Sequence, residues 1–323
     1  MRIFVAGASG AIGRHLVPLL LASGHDVVGT TRSETKRRDL RVLGARAVLL
    51  DVLDAEAVGR AVSEAEPEVV VHQATALASM GSSLRNLDKV FSETNRLRTA
   101  GTDNLLAAAR AAGARKFVAQ SFAGWPFARE GGPVKDEQAP LDPAPPASSA
   151  ETLAAIRHVE ERVVGAPGLE GVVLRYGGFY GPGTSLAADG ATAAAIRRRM
   201  IPVVGDGGGI ASFIHVEDAA RATVAAIERG SRGLYNIVDD EPAPAAEWLP
   251  YLAEAIGAKP PRHVPLWLGK LVAGEQVALM MTKARGASNA KAKRELGWQL
   301  LYPTWREGFV TGLGRDVELR SAA

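Results

Sequence analysis

The stretch Gly7–Gly13 reads GASGAIG, with glycine at its first, fourth and seventh positions. It directly follows the apolar run Ile3–Ala6, and Ala11–Ala22 then has the apolar spacing of a helix. A second apolar run begins at Asp26. Glycines at such a turn allow the backbone to approach a pyrophosphate, which the helix N-terminus stabilises. The stretch therefore predicts the phosphate-binding turn of a dinucleotide-binding unit, and a plain strand–helix turn is the alternative.

Further apolar runs alternate with helical patterns along the first half of the chain. After the run that extends to Thr30, they lie at Ala47–Leu50, Val69–His72, Lys116–Gln120 and Val172–Arg175. Helical patterns at residues 34–43, 54–65 and 95–113 separate these runs. Apolar strands that alternate with helices indicate a parallel sheet covered on both faces. We therefore expect an α/β fold with a doubly wound parallel sheet of the Rossmann type, with ligand at the carboxyl ends of its strands.

The pattern loosens beyond Arg175, where glycine and proline become frequent. We expect residues 1–176 to form the dinucleotide-binding domain and residues 177–323 to form a small, mostly helical substrate-binding lobe. Some of the second part, around residues 210–240, is expected to return to the sheet. Helical patterns near 247–257 and 267–281 belong to the lobe, and the proline-rich residues 131–149 predict a mobile loop.

The composition excludes several classes of protein. The chain has 323 residues, of which 47% are hydrophobic and 23% charged, as in an ordinary globular protein. Its formal net charge of +3 is not gathered into a basic stripe, and it has no cysteine for disulfides, thiolate-bound metals or a thiol nucleophile. No apolar run approaches the ~20 residues of a membrane span. We expect a cytoplasmic monomer or homodimer that binds a small molecule, with no nucleic-acid partner, no membrane partner and no metal site.

The end of the second strand indicates which dinucleotide binds. A site for NAD carries Asp or Glu there for the ribose 2′-hydroxyl. This chain has Thr31 and Arg32 instead, and no carboxylate before Glu34. Arg32 can pair with a 2′-phosphate, and Ser33 and Lys36 could add donors. The residues favour NADPH, and an exposed structural arginine is the alternative.

Other positions suit the remaining parts of the cofactor. Asp51 can accept from the adenine amine while Val52 packs on the ring, and capping of the helix near Asp54 is the alternative role of Asp51. Small residues after the fourth strand let the backbone lie beside the cofactor. The predicted contacts are Gly7, Ser9, Gly10, Ala11, Ile12, Gly13, Thr31, Arg32, Asp51, Val52, Gln73, Ala74, Thr75 and Ala76.

Further blocks occur in the order typical of one enzyme family. Asn95 is followed by RYGGFYGP at Arg175–Pro182, SFIHVEDAA at Ser212–Ala220, SNAK at Ser288–Lys291 and ELGW at Glu295–Trp298. With the glycine turn, these blocks make the chain similar over nearly its whole length to the extended short-chain dehydrogenases/reductases. The resemblance implies an NADP-dependent oxidoreductase in which His215 and Asp218 shape the lobe and cap a helix. It adds as cofactor contacts Asn95, Ser121, Tyr176, Gly177, Gly178 and Phe179.

The chain lacks the catalytic Tyr-x-x-x-Lys of that family, in which Tyr moves a proton and Lys lowers its pKa. Alignment on Glu160 puts Thr152 at the Tyr position and Ile156 at the Lys position. The family's serine after strand five is present as Ser121, which is the candidate catalytic residue. Losing a positioned general acid typically forfeits ~10²–10⁴ in rate. A substrate could compensate if a phenol beside its ketone stabilised the developing alkoxide.

We therefore expect an NADPH-dependent ketoreductase that reduces a ketone of a polycyclic aromatic polyketide to a secondary alcohol by substrate-assisted catalysis. In this respect the chain resembles the atypical ketoreductases of angucyclinone biosynthesis. Tyr180 and His158 are the remaining candidate proton donors, although a packing or surface role suits each better. A catalytically inactive NADP-binding sensor is the alternative function, and a sugar-nucleotide epimerase or dehydratase is the third.

Overall fold

A computed structural model describes residues 1–77 and 86–314 of the chain. The described residues form the strands β1 (Arg2–Ala6), β2 (Asp26–Thr31), β3 (Arg46–Leu49), β4 (Val69–His72), β5 (Lys116–Phe122), β6 (Val134–Lys135), β7 (Glu170–Tyr176), β8 (Gly178–Tyr180), β9 (Val203–Val204), β10 (Ile210–Ala211), β11 (Phe213–His215), β12 (Gly233–Ile237), β13 (Ala243–Pro244), β14 (His263–Val264) and β15 (Gly286–Ala287). Their helices are α1 (Gly13–Ala22), α2 (Glu34–Val42), α3 (Ala55–Ala65), α4 (Leu87–Val90), α5 (Ser92–Arg96), α6 (Thr102–Ala111), α7 (Ala150–Val164), α8 (Ala191–Arg197), α9 (Val216–Arg229), α10 (Ala245–Ala255), α11 (Leu266–Ala273), α12 (Glu275–Lys283), α13 (Ala290–Leu296) and α14 (Trp305–Thr311).

Seven of these strands form one parallel sheet in the order β12-β7-β5-β4-β1-β2-β3. The side chains of β1 alternate between its two faces, so that Ile3 and Val5 join one buried core and Phe4 and Ala6 join the other. Both faces are therefore covered, and the predicted doubly wound α/β fold is confirmed.

Side-chain caps begin the helices that follow β2 and β3. The Ser33 hydroxyl accepts from the Lys36 N–H at the start of α2, and the Asp54 carboxylate accepts from the Ala57 N–H at the start of α3. Asp51 does not cap α3, because its Oδ1 accepts from the Leu53 N–H at 3.0 Å in the preceding turn.

The chain after Tyr176 returns to the sheet, since β12 pairs with β7 and α9 packs beside α1. The remaining C-terminal elements form a third apolar core, which contains Tyr180, Phe213, Leu249, Trp305 and Phe309. The predicted helix at 267–281 is two helices, α11 and α12, because the backbone of Gly274 between them has φ 93°. The predicted helix at 95–113 is likewise divided, by a π-helical segment at Leu97–Gly101.

Residues 131–149 are mostly irregular, as predicted for a loop, but they contain a short strand; that the loop is mobile stays a prediction. This segment contains β6, which pairs in parallel with β15. The Glu137 Oε1 accepts from the Asn236 N–H at 2.8 Å, and Asp142 pairs with Arg129 at 2.5 Å. The segment is therefore attached to both the sheet and the C-terminal part of the chain. Among the described residues, no helix is long and apolar enough to cross a membrane.

Candidate active site

The glycine turn lies at the carboxyl ends of β1 and β4 and leaves no room for side chains. Gly7 has φ 86°, and a Cβ atom there would lie 2.7 Å from the backbone of Ala74. A Cβ atom on Gly13 would lie 2.2 Å from the Ala8 carbonyl oxygen. Because only glycine fits these two positions, the turn stays close to the start of α1 and keeps its backbone open to a ligand. This cradle fits the pyrophosphate of a dinucleotide.

The end of β2 is held by hydroxyl groups. The Ser9 Oγ donates to the Thr31 Oγ1 at 2.8 Å, and the Ser33 N–H donates to the same atom at 3.2 Å. Arg32, beside them, forms an ion pair with Glu93 in the first turn of α5, and both side chains are about half exposed. Glu93 was missed in the sequence because it lies 61 positions away. A carboxylate therefore contacts the guanidinium that we predict to bind a 2′-phosphate.

After the end of β3, Asp51 is exposed and Val52 is buried against Gly101. After β4, Gln73 and Ala74 lie against Gly7, and the Ala76 N–H donates to the Thr94 Oγ1 at 3.2 Å. Together with Thr75, the residues Gln73, Ala74 and Ala76 form the segment that directly follows the carboxyl end of β4.

Tyr176 is directed into the core. Its hydroxyl is bonded to Gln73 Nε2 at 3.0 Å and to Thr223 Oγ1 at 2.7 Å, and burial raises its pKa to about 12. The buried Gln73 Oε1 has no hydrogen-bond partner within the described residues. Beyond Tyr176 the chain turns through Gly177 into Gly178 and Phe179 at the start of β8.

Ser121 belongs to a buried polar cluster. Its Oγ donates to Glu160 Oε1 at 2.7 Å, and both oxygens of Glu160 accept from Arg175 at 2.7 Å. The Ser121 side chain is buried, so its hydroxyl is directed to Glu160 rather than to open space. Such a bidentate buried pair holds β5, β7 and α7 in a fixed relation.

Thr152, which the alignment on Glu160 predicts at the position of the family's tyrosine, has both its donor and its acceptor function bonded within the protein. Its Oγ1 donates to Asp88 Oδ1 at 2.6 Å and accepts from Asn95 Nδ2 at 3.1 Å. Asp88 Oδ1 also accepts from the Thr152 N–H at 2.7 Å, and Asp88 Oδ2 accepts from the Glu151 N–H at 3.0 Å. Asp88 therefore caps the first turn of α7, and the Thr152 hydroxyl has no proton to offer a substrate.

Ile156, which the same alignment predicts at the position of the family's lysine, is fully buried in an apolar cluster that we call the aromatic wall. The wall consists of Leu87, Phe91, Phe122, Trp125, Leu141, Leu153, Ile156 and Met280. It joins the end of β5 and the first turns of α7 to α12 from the C-terminal part of the chain. At the positions predicted for the family's phenol and ammonium group, this chain therefore has a bonded hydroxyl group and a buried apolar side chain.

The other candidate proton donors are held elsewhere. Tyr180 is completely buried against Phe309, and burial together with the nearby charges of Asp239 and Asp218 raises its pKa. His158 lies on the outer side of α7, 3.1 Å from Asp103.

His215 and Asp218 bind backbone groups. His215 accepts from the Glu217 N–H at the start of α9, and Asp218 accepts from the N–H groups of Leu301 and Tyr302. Both residues tie the C-terminal segment to the start of α9.

Comparisons with known proteins agree on the family. A model described as the NAD dependent epimerase/dehydratase family matches residues 3–238. A 3-diazoavenalumate denitrifying reductase from Streptomyces sp is 46% identical over 317 residues, which cover 98% of this chain and 100% of that protein. A 4-hydroxy-2-methyl-3-oxo-4-farnesyl-3,4-dihydroquinoline-1-oxide ketoreductase from Stigmatella aurantiaca is 31% identical over 80% of this chain and 74% of the relative.

Solved structures show the same fold. The UDP-glucose 4-epimerase of Thermus thermophilus in complex with NAD has a TM-score of 0.71 and 28% identity, and the match covers 97% of this chain and 98% of the epimerase. The UDP-glucose 4-epimerase of Thermotoga maritima has a TM-score of 0.76 and 23% identity, with 97% of each chain covered.

Proposed function

The chain belongs to the NAD dependent epimerase/dehydratase family, and on that premise we propose that it reduces an aromatic diazo group, replacing the group by hydrogen with release of N₂. It is an NAD(P)-dependent oxidoreductase. The observation that carries the proposal is the state of the Tyr and Lys positions. The Thr152 hydroxyl donates to Asp88, and Ile156 is buried in the aromatic wall. The site therefore favours a hydride acceptor that needs no proton from the protein.

A ketone is a poor match for such a site. Reduction of a ketone leaves an alkoxide, which hydrogen-bond donors must stabilise in the transition state. Tyr176 and Tyr180 do not supply one at this place, since both are buried in cores. The hydroxyl of Ser121 is directed to Glu160.

A diazo group matches better. The bound nicotinamide supplies a hydride, which it can deliver once a substrate is held against it. The terminal nitrogen of Ar–N₂⁺ accepts this hydride, and one N–N π pair moves to the inner nitrogen to give Ar–N=N–H. The N–H proton of this diazene leaves to solvent, the C–N bond breaks with release of N₂, and the ring carbon, which keeps the electron pair of that bond, takes a proton from solvent. Atoms and electrons then balance with solvent as the proton carrier, so the protein has only to bind and orient the substrate.

The relative that is 46% identical supports this choice, because its name describes a reductase that removes nitrogen from a diazo compound. The match extends over the whole of both chains, so that the same lobe and the same strand ends are covered.

We propose NADPH as the cofactor. The cradle of Gly7 and Gly13 would hold the pyrophosphate, Asp51 and Val52 the adenine, and Arg32 the 2′-phosphate. Glu93 would have to release Arg32 when a phosphate binds, because the two acids compete for one guanidinium.

The second candidate function is the reduction of a phenolic ketone of a polycyclic aromatic polyketide by substrate-assisted catalysis. The relative named as a ketoreductase favours it. In this case the phenol beside the ketone would have to supply the donor that the site lacks. Epimerase or dehydratase activity fits less well, because its proton movements require the group that Thr152 replaces.

The deciding experiment gives the purified protein NADPH together with an ortho-methoxyarenediazonium salt, which stays a cation at neutral pH, or with an ortho-hydroxyaryl ketone. We expect NADPH oxidation, N₂ and the methoxyarene in equal amounts from the diazonium salt, well above the rate without enzyme. Turnover of the ketone alone would reject the diazo function and favour the second candidate. A ketone lacking the phenol hydroxyl serves as the control for substrate assistance.

A further inference from the structure

We propose that Asp88 and Asn95 make the site selective for a positively charged acceptor, namely the diazonium form of an aromatic substrate. The inference rests on the proposed function and adds a specificity determinant to it. Asp88 lies in α4 and Asn95 in α5, and Thr152 on α7 joins them. All three lie beside the aromatic wall, at the place where the family has its proton donor and its ammonium group.

The hydrogen bonds of Thr152 show which atoms are left for a ligand. The single hydroxyl proton of Thr152 goes to Asp88 at 2.6 Å, so the contact between Thr152 and Asn95 has to use the amide N–H₂ of Asn95. The Asn95 Oδ1 is then the remaining group. It has no hydrogen-bond partner in the described part of the chain, and only 9% of the residue is exposed. A buried acceptor of this kind calls for a donor or a positive charge from a ligand.

Among the described residues, no basic side chain forms an ion pair with Asp88. Within residues 1–77 and 86–314, Asp88 binds backbone N–H groups and the Thr152 hydroxyl but forms no ion pair with Lys, Arg or His. The family's lysine, which would have opposed it, is Ile156 here. Asp88 thus brings a carboxylate charge and acceptor oxygens to the side of Thr152, where the family's pattern has donors and a positive charge.

The surroundings of Asp88 strengthen its attraction for a cation. Asp88 is half-buried, and the adjoining wall contains Phe91, Phe122 and Trp125. An apolar environment raises the strength of an electrostatic interaction, and aromatic faces attract cations. A diazonium cation gains from both effects. The alkoxide that develops from a ketone is repelled by the same carboxylate, so that the site distinguishes the two reactions by the sign of the charge.

The test uses a pair of ligands with the same shape and different charge, 4-methoxybenzenediazonium and 4-methoxybenzonitrile. Both end in a linear triple bond, but only the first is a cation. Their dissociation constants are measured with the full chain saturated with NADP⁺, which cannot reduce the diazonium compound. Asp88→Asn and Asp88→Ser remove the charge and keep an oxygen that caps α7. Asp103→Asn removes a carboxylate that contacts α7 from its outer side through His158 and Arg162 and is the matched control.

We expect both Asp88 variants to lower the preference for the cation over the nitrile by about tenfold, through weaker binding of the cation alone. Asp103→Asn should leave the preference unchanged. An unchanged preference in the folded Asp88 variants would overturn the proposal. An equal loss of affinity for both ligands would also overturn it, because Asp88 would then act only as a helix cap. The measurement does not depend on turnover, so a protein that reduces no diazo compound would reject the proposed function while the charge selectivity is still decided.

Discussion

At the scale of single residues, the proposed preference for NADPH over NADH depends on Arg32 and Glu93. Arg32→Glu should weaken NADPH by at least about tenfold, because a carboxylate repels the 2′-phosphate, and should change NADH little. Glu93→Gln should tighten NADPH about two- to fivefold, because an exposed ion pair of modest strength no longer competes for Arg32. Titrations of nicotinamide fluorescence with both cofactors measure these effects.

Both variants have a built-in control, since NADH lacks the 2′-phosphate. Equal changes for the two cofactors would mean that Arg32 supports the local structure and not the phosphate. An unchanged affinity for NADPH in Glu93→Gln would mean that the ion pair opens without measurable cost.

Single residues also show which parts of the site the sequence can predict. The assignment of Thr152 and Ile156 to the Tyr and Lys positions depends on spacing within one helix, and it stays a prediction. Asp88 and Glu93 could not be predicted, because they approach Thr152 and Arg32 from 64 and 61 positions away. Their short polar side chains carry no periodic signal, and only the packing of α4 and α5 at the strand ends brings them to the site.

At the scale of elements, the packing of α11 on β9 depends on Gly269. A Cβ atom there would lie 2.3 Å from Val204 Cγ1 and 3.2 Å from Val204 Cβ, so the helix would have to move. We expect Gly269→Ala to lower the free energy of unfolding by about 1–3 kcal/mol, as overpacking does. Activity should fall as well, because α12, which follows α11, carries Met280 to the aromatic wall.

Gly59→Ala is the matched control for this prediction. Gly59 lies inside α3, and a Cβ atom there would meet nothing within 4 Å. Alanine is the better helix former, so this variant should gain about 0.5–1 kcal/mol. Denaturant unfolding of the two variants should therefore give changes of opposite sign. A loss in both would show that helix propensity and space do not decide these positions.

The bounds of helices and strands were predicted best where the apolar pattern stops at a clear signal, such as a helix cap. β4 has the bounds expected, and α3 begins one residue after the predicted start at residue 54, because Asp54 is its cap. The divided helices were not predicted. Apolar spacing continues through Gly274 and through Leu97–Gly101, and only the observed backbone, left-handed at Gly274 and π-helical in the other segment, shows the breaks. A π-helical segment often accompanies a functional site, and this one leads directly from α5, which carries Asn95.

At the scale of the whole molecule, the sheet carries the family's cofactor architecture while the neighbouring helices carry a different charge pattern. The glycine cradle and the parallel strand ends belong to the shared fold. Asp88 on α4 and Thr152 on α7 lie beside the aromatic wall, to which Ile156 on α7 belongs. The proposed change of acceptor chemistry would therefore need no change in the sheet, because it depends on residues of the helices.

The stability of the whole molecule should depend on pH through His72, which ends β4 beside the cofactor turn. Burial lowers its pKa from 6.5 to about 4, although its bond to the Leu97 carbonyl opposes the shift. Between these two values the unfolded chain binds a proton that the folded chain does not, so stability falls as the pH falls from about 6.5 to about 4. Burial lowers the pKa of His15 and His215 as well, which adds to the trend, whereas the raised pKa of Asp218 and Asp239 opposes it.

Substitution isolates the part that belongs to His72. Between pH 7 and pH 5 the wild type should lose about 2 kcal/mol more unfolding free energy than His72→Gln, in which an amide can keep the bond to the Leu97 carbonyl. Urea unfolding of the two proteins at both pH values measures this difference. The remaining histidines and the two aspartates are common to both proteins, so their contributions cancel in the comparison. Equal losses would mean that His72 becomes protonated in the folded protein with little cost, and that the bond it makes to the π-helical segment does not require the neutral ring.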